Sequence, residues 1–113
     1  MNINFVPTAC LVDDPKITGS LIIRLPSAEE RCDIIAESNM DLEAMKSNEI
    51  SFYKSLSSVI KKVYDHIVKV DLKRPGSDKV LTVEEMKYDP DCFPILAELA
   101  NKMLVGGFVL GKN

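Results

Sequence analysis

Between Ser20 and Arg31 the chain has to stop being a strand and start being a helix. In Ser20-Leu21-Ile22-Ile23-Arg24-Leu25, the residues Leu21, Ile23 and Leu25 fall on one face at period two, the pattern of a half-buried strand. Pro26 has no N–H with which to continue a ladder. Ser27 and Glu30, three residues apart, then form a capping box that opens a helix. A strand with one apolar face, running straight into a helix, needs helices or further strands to cover that face.

The remaining elements fit around this junction. Thr8-Ala9-Cys10-Leu11-Val12 reads as a short first strand, starting as early as Ile3, and Asp14-Pro15-Lys16 suits a type I turn. Ile17 to Leu25 is then the returning strand of a hairpin, with Gly19 as a bulge. Helix one is expected from Ser27 to about Asn39, with Ala28, Cys32, Ile35 and Ala36 inward and Glu29, Glu30, Asp33 and Glu37 outward. Glu29 and Glu30 also favour the positive end of the helix dipole. Met40 to Asn48 is polar and reads equally as a loop or another helical turn.

Glu49 to about His66 is the best-defined helix. Phe52, Tyr53, Leu56, Val59, Ile60, Val63, Tyr64 and Ile67 share one broad side at 100° per residue, opposite Lys54, Ser58, Lys61, Lys62 and Asp65. Ile67 to Leu72 switches to period two, with Val68, Val70 and Leu72 on one face. Lys73 to Asp78 is a turn by composition, and Val80-Leu81 returns as a short strand. Thr82 and Glu85 make a second capping box, opening a brief helix that stops before Asp89-Pro90. Asp91 is the expected cap of a last helix, Cys92 to Val105, with Pro94 tolerated in its first turn. Ile95, Leu96, Leu99, Met103 and Leu104 form its stripe, and Gly106-Gly107 end it. The expected class is α+β: a small antiparallel sheet of β-hairpins covered by three to four helices, one domain over 1–113, with residues 106–113 as a flexible C-terminal tail.

Length and composition narrow the function classes. A chain of 113 residues can bury one core without covalent staples, and 46% hydrophobic with 27% charged residues is ordinary globular composition. No apolar run approaches the ~18 residues of a membrane span, and the first residues lack a signal pattern. Three scattered cysteines, Cys10, Cys32 and Cys92, contain no CxxC pair and suit a reducing, cytoplasmic compartment. Net charge is only −3, but it is uneven: −5 over residues 1–45, +4 over 46–74 and −2 over 75–113. Solvated faces account for this, as do complementary patches for self-association or a charged partner.

Catalytic, metal and phosphate sites find no support in the residues. The single histidine, His66, has no second histidine or nearby cysteine to complete a zinc set, and reads as a partly exposed helix-end residue. Cys10 and Cys32 fall on expected core faces, and Cys92, near a helix N-terminus, has no base paired with it. The pairs Asp13-Asp14, Glu29-Glu30 and Glu84-Glu85 are explained by turns and caps. Neither GxGxxG nor GxxxxGK occurs. Lys54, Lys61, Lys62, Lys69, Lys73 and Arg74 could meet phosphates, but Tyr53 and Tyr64 lie on the buried side, so aromatic interleaving is poor. The expectation is a non-enzymatic protein with no cofactor, metal, nucleic acid, membrane or small-molecule substrate.

The junction Ile23-Arg24-Leu25-Pro26-Ser27-Ala28-Glu29-Glu30-Arg31, the stretch Val80-Leu81-Thr82-Val83-Glu84-Glu85 and the helix Ile95-Leu96-Ala97-Glu98-Leu99-Ala100 together resemble the small tail assembly chaperones of tailed bacteriophages. The resemblance is one of pattern, covers most of the chain, and transfers no binding residue individually. It implies a protein that coats the tape measure protein before the tail tube polymerises, self-associates, and works in the host cytoplasm. Many such chaperones are also made in a longer frameshifted form, and Gly111-Lys112-Asn113 is compatible with a slippery codon run, as any chain ending this way would be. A chaperone needs exposed apolar surface with a polar rim. The candidate partner-binding residues are Lys54, Lys61 and Lys62 on the basic helix, with Phe108, Val109 and Leu110, a segment that could equally fold back as a strand or plug. The alternatives are another phage structural adaptor, such as a head–tail connector or tail terminator component, and a small regulatory or inhibitory protein docking on a host partner.

Overall fold

In the computed structural model, which describes residues 1–37 and 58–105, strand β2 (Thr18–Arg24) is the middle of a three-stranded sheet. It pairs antiparallel with β1 (Asn2–Phe5) on one side and β3 (Ile67–Lys73) on the other. The helices are α1 (Ala28–Glu37), α2 (whose described residues are 58–63), α3 (Val83–Tyr88) and α4 (Phe93–Val105). Single 3₁₀ turns cover Thr8–Cys10, Tyr64–His66 and Pro90–Cys92. This is the α+β class that the patterning predicts, a small antiparallel sheet covered by helices.

The core forms on one face of that sheet. Leu21 and Ile23 of β2 are fully buried, opposite Phe5 of β1 and beside Leu72 of β3. Against them lies the stripe of α4, in which Ile95, Leu96, Leu99, Ala100 and Met103 are all buried. Ile34 of α1, Val59 and Val63 of α2, and Met86 of α3 close the cluster. The described periodic positions Val59 and Val63 of α2 and Ile95, Leu96, Leu99 and Met103 of α4 therefore point inward as their spacing dictates. Phe52, Tyr53, Leu56, the start of the long helix, the stretch Met40 to Asn48 and Gly106-Gly107 lie outside the described residues, as do the side chains of Glu37 and Leu104.

Both capping boxes form. Ser27 Oγ accepts from the Glu30 N–H at 3.1 Å, and Glu30 Oε1 accepts from the Ser27 N–H at 3.0 Å. Thr82 and Glu85 repeat the exchange at 3.1 Å in each direction. The Lys73–Asp78 turn is also as expected. Ser77 N–H donates to Arg74 C=O at 3.0 Å, with Pro75 and Gly76 (φ +83°) at its centre, the type II arrangement. The return at Val80-Leu81 is a single bridge to Lys73 plus a Leu81 N–H to Leu72 C=O bond of 2.8 Å.

Several expectations are corrected. The first strand is Asn2–Phe5, and Thr8–Cys10 is a 3₁₀ turn: Pro7 offers no ladder N–H, and Thr8 is clipped to α4. Besides β1, β2 pairs with β3 across the intervening helices, a pairing that neither expected hairpin contains. Gly19 is in register with Leu72, and the bulge lies on β3: Ile22 pairs with Lys69 and Ile23 with Ile67, leaving Val68 unpaired. The extra residue breaks the alternation, so Val68 is 54% exposed although Leu72 is fully buried. In α1 the buried position is Ile34, with Ile35 partly covered, whereas Ala28, Cys32 and Ala36 are exposed. A helix with so few large apolar residues takes its facing from the one that docks best. At α4, Asp89 rather than Asp91 is the cap, accepting from the Asp91 N–H at 2.9 Å, because Pro90–Cys92 adds a 3₁₀ turn before the helix proper.

Candidate functional site

The strand-to-helix junction that dominates the sequence also builds a polar cleft. This cleft of about 230 Å³ is lined by Arg24, Glu30, Asp33, Ile34, Lys62, Asp65 and His66. Arg24 is the last residue of β2, Glu30 lies in the first turn of α1, and His66 closes the 3₁₀ turn before β3. Pro26 and the capping box bring Glu30 back over the strand end, where Arg24 Nη1 donates to both its oxygens at 3.1 and 3.2 Å. The Ser27 N–H first, and the Arg24 guanidinium second, hold the Glu30 carboxyl down at about 2. It is therefore ionised throughout the neutral range.

His66 is buried, not partly exposed as its helix-end position predicts. Its Nδ1 lies 2.9 Å from the Arg24 carbonyl, and its Nε2 lies 3.9 Å from Glu30 Oε2. The carbonyl can only accept, so Nδ1 carries the proton and donates. None of these lining residues is a serine, threonine or cysteine that could serve as a nucleophile. No group of three His, Cys, Asp or Glu side chains suited to a metal occurs among the described residues. The cleft also brings Glu30 and Asp33, from the acidic N-terminal third, together with Lys62 of the basic middle, so part of the charge asymmetry is answered within one chain.

Of the sequence-predicted partner-binding residues, two are described. Lys61 is exposed and Lys62 lines the cleft, whereas Lys54, Phe108, Val109 and Leu110 lie outside the described residues. Of the other basic candidates, Lys69 is exposed on β3, and Arg74 is engaged by two carboxylates, Asp89 and Asp91, the latter at 2.8 Å. The described stripe of α4, Ile95, Leu96, Leu99 and Met103, is buried.

Leu11 and Val12, 71% and 53% exposed, stand side by side in the loop that the pattern assigns to the first strand, while other exposed apolar side chains, among them Met1, Val68, Tyr88 and Phe93, lie elsewhere on the described surface. That loop is anchored behind and ahead. Glu98 accepts from the Thr8 N–H and Thr8 Oγ1, both at 2.7 Å, and Ile17 is buried in the core. Asp13 and Asp14, both exposed, follow directly. The signal was available: Leu-Val set immediately before an Asp-Asp-Pro turn is a poor strand interior.

The thiols differ sharply in environment. Cys32 is exposed, not in the core as its helix position predicts, Cys10 is half-buried and Cys92 is fully buried. Burial first, and the neighbouring Asp89 second, push the Cys92 thiol up to about 11, so the nearby helix N-terminus does not activate it. Burial and Glu98 likewise raise the Cys10 thiol. No helix among the described residues is long and apolar enough to cross a membrane. No protein-family model, curated protein or solved structure matches this chain.

Proposed function

We propose that this chain is a non-enzymatic protein-binding domain that serves as a bacteriophage tail assembly chaperone, holding the tape measure protein in the host cytoplasm until the tail tube forms. In this reading it works by stoichiometric binding, self-associates, and uses no cofactor, nucleic acid, membrane or small-molecule substrate. The pattern of the strand-to-helix junction, the second capping box and the last helix supports the family. One structural observation supports binding: Leu11 and Val12 project from an anchored loop, contribute nothing to the chain's own core, and are followed by two exposed carboxylates. Apolar side chains with a polar rim, held on a fixed scaffold, suit capture of a protein segment.

Co-expression with fragments of a tape measure protein tests this. The parent chain should raise the soluble fraction of the fragment, and a Leu11→Ser/Val12→Ser variant of unchanged thermal stability should not. No gain with the parent chain would sink the chaperone reading, as would a gene lying away from the tail tube and tape measure genes. Salt-sensitive rings formed without any effect on the fragment would favour a head–tail connector or tail terminator.

A further inference from the structure

We propose that His66 is a proton-operated latch: on taking up a proton at Nε2 it closes onto the Glu30 carboxylate and fastens α1 to the end of the β2–β3 ladder. The latch stands apart from the proposed binding role and rests on the cleft alone.

His66 sits where the sheet runs out. The last β2–β3 pair is Ile23 with Ile67, directly beside it in sequence, and its Nδ1–H bond to the Arg24 carbonyl adds one more link between the strands. That bond is present whether the ring is neutral or charged, because the carbonyl can only accept. It leaves Nε2 as the atom that changes. In the neutral ring Nε2 holds a lone pair, and it faces a carboxylate oxygen 3.9 Å away, an acceptor against an acceptor. No hydrogen bond is possible in that state. Protonation turns Nε2 into a donor opposite an ionised partner, and a closing movement of about 1 Å reaches charge-assisted hydrogen-bond distance.

The surroundings permit the charge. From β2 the ring is faced by Arg24, whose guanidinium is already bound to Glu30. From α1 Glu30 faces it and Asp33 lines the same cleft, as do Lys62 and Asp65 from α2 and the following turn. Three carboxylates thus stand against two cations, and a proton on His66 brings the cleft to neutrality. The partner does not compete for the proton, since Glu30 stays ionised far below the range, about pH 5 to 8, in which histidines change charge.

The chain has one histidine, so its ring resonances report on this residue alone. Nitrogen-15 spectra of the full chain, recorded across a pH titration, should show the Nδ1–H tautomer at high pH. Below the midpoint they should show a solvent-protected Nε2–H. In Glu30→Gln, which keeps the capping box, the midpoint should fall by about half a pH unit or more, roughly a threefold loss of proton affinity. Asp65→Asn should move it less. An Nε2–H tautomer at high pH, or an unprotected Nε2–H in acid, overturns the latch on the parent chain alone. A Glu30→Gln midpoint within a smaller margin of the parent overturns it as well.

Discussion

Gly19→Ala tests the sheet at its tightest point. Gly19 has φ +120°, a conformation that L residues rarely adopt, and a Cβ built there falls 2.0 Å from the Asp71 carbonyl oxygen of β3. Ordinary contact begins at 3.4 Å, so a backbone carbonyl within the ladder must retreat by more than 1 Å. The dihedral strain is about 1–3 kcal/mol. Opening the strands next to Leu72 forfeits about two ladder bonds, at roughly 1 kcal/mol each. The expected loss is about 3–5 kcal/mol, a large share of a typical total of about 5–15 kcal/mol. Gly76→Ala is the matched control: its φ is +83°, but nothing lies within 4 Å of the added carbon. Strain alone predicts about 1–2 kcal/mol there. Urea unfolding of both variants and the parent, extrapolated linearly, measures the gap. A gap of about 2 kcal/mol is some thirty-fold in the folding equilibrium. Equal losses, within about 0.5 kcal/mol, would refute the claim that the Asp71 carbonyl is what excludes a side chain.

Three further outcomes are expected. Leu99→Ala removes a fully buried side chain from the α4 stripe and should cost about 2–5 kcal/mol in the same urea assay, with the slope unchanged. A small aromatic disulfide reagent should modify Cys32 first and Cys10 more slowly. It should reach Cys92 only on unfolding, because that thiol is both enclosed and shifted to about 11. The Glu30 carboxyl sits at about 2 when folded against an ordinary 4.5, so its stabilisation is full above pH 4.5 and is lost as pH falls through 2. The parent's melting-temperature advantage over Glu30→Gln should therefore grow as the His66 latch engages between pH 7 and about 5, then shrink to close to zero near pH 2; an offset unchanged between pH 5 and 2 would count against it.

The elements legible from the chain are those whose instructions are local. Ser27 and Glu30, or Thr82 and Glu85, find each other across three residues, and both boxes form with both bonds. The described stripe of α4, Ile95 to Met103, is dense enough in large apolar residues that only one facing buries it. Pro75-Gly76 carries its own turn geometry. Where local preference is weak, neighbours decide. Cys32 and Ala28 fit an inward stripe on a helical wheel, yet α1 docks through Ile34, and both face solvent. Val68 belongs to the inner face by alternation, but one unpaired residue on β3 turns it outward. Thr8 to Val12 has strand composition, and the contact that prevents a strand is made with Glu98, 90 residues away.

The cleft shows the same division. Ser20 to Arg31 by itself specifies a strand with Leu21 and Ile23 inward, its end at Pro26, and a helix that starts at Ser27 with Glu30 folded back on the cap, because each step depends on residues a turn apart or less. That Glu30 also faces a buried histidine depends on the sheet. Antiparallel pairing of β2 with β3, shifted by the bulge at Val68, delivers His66 to the Arg24 carbonyl across 42 residues of chain. No periodicity encodes that approach; it follows from the single register in which Leu21, Ile23 and Leu72 can share one core.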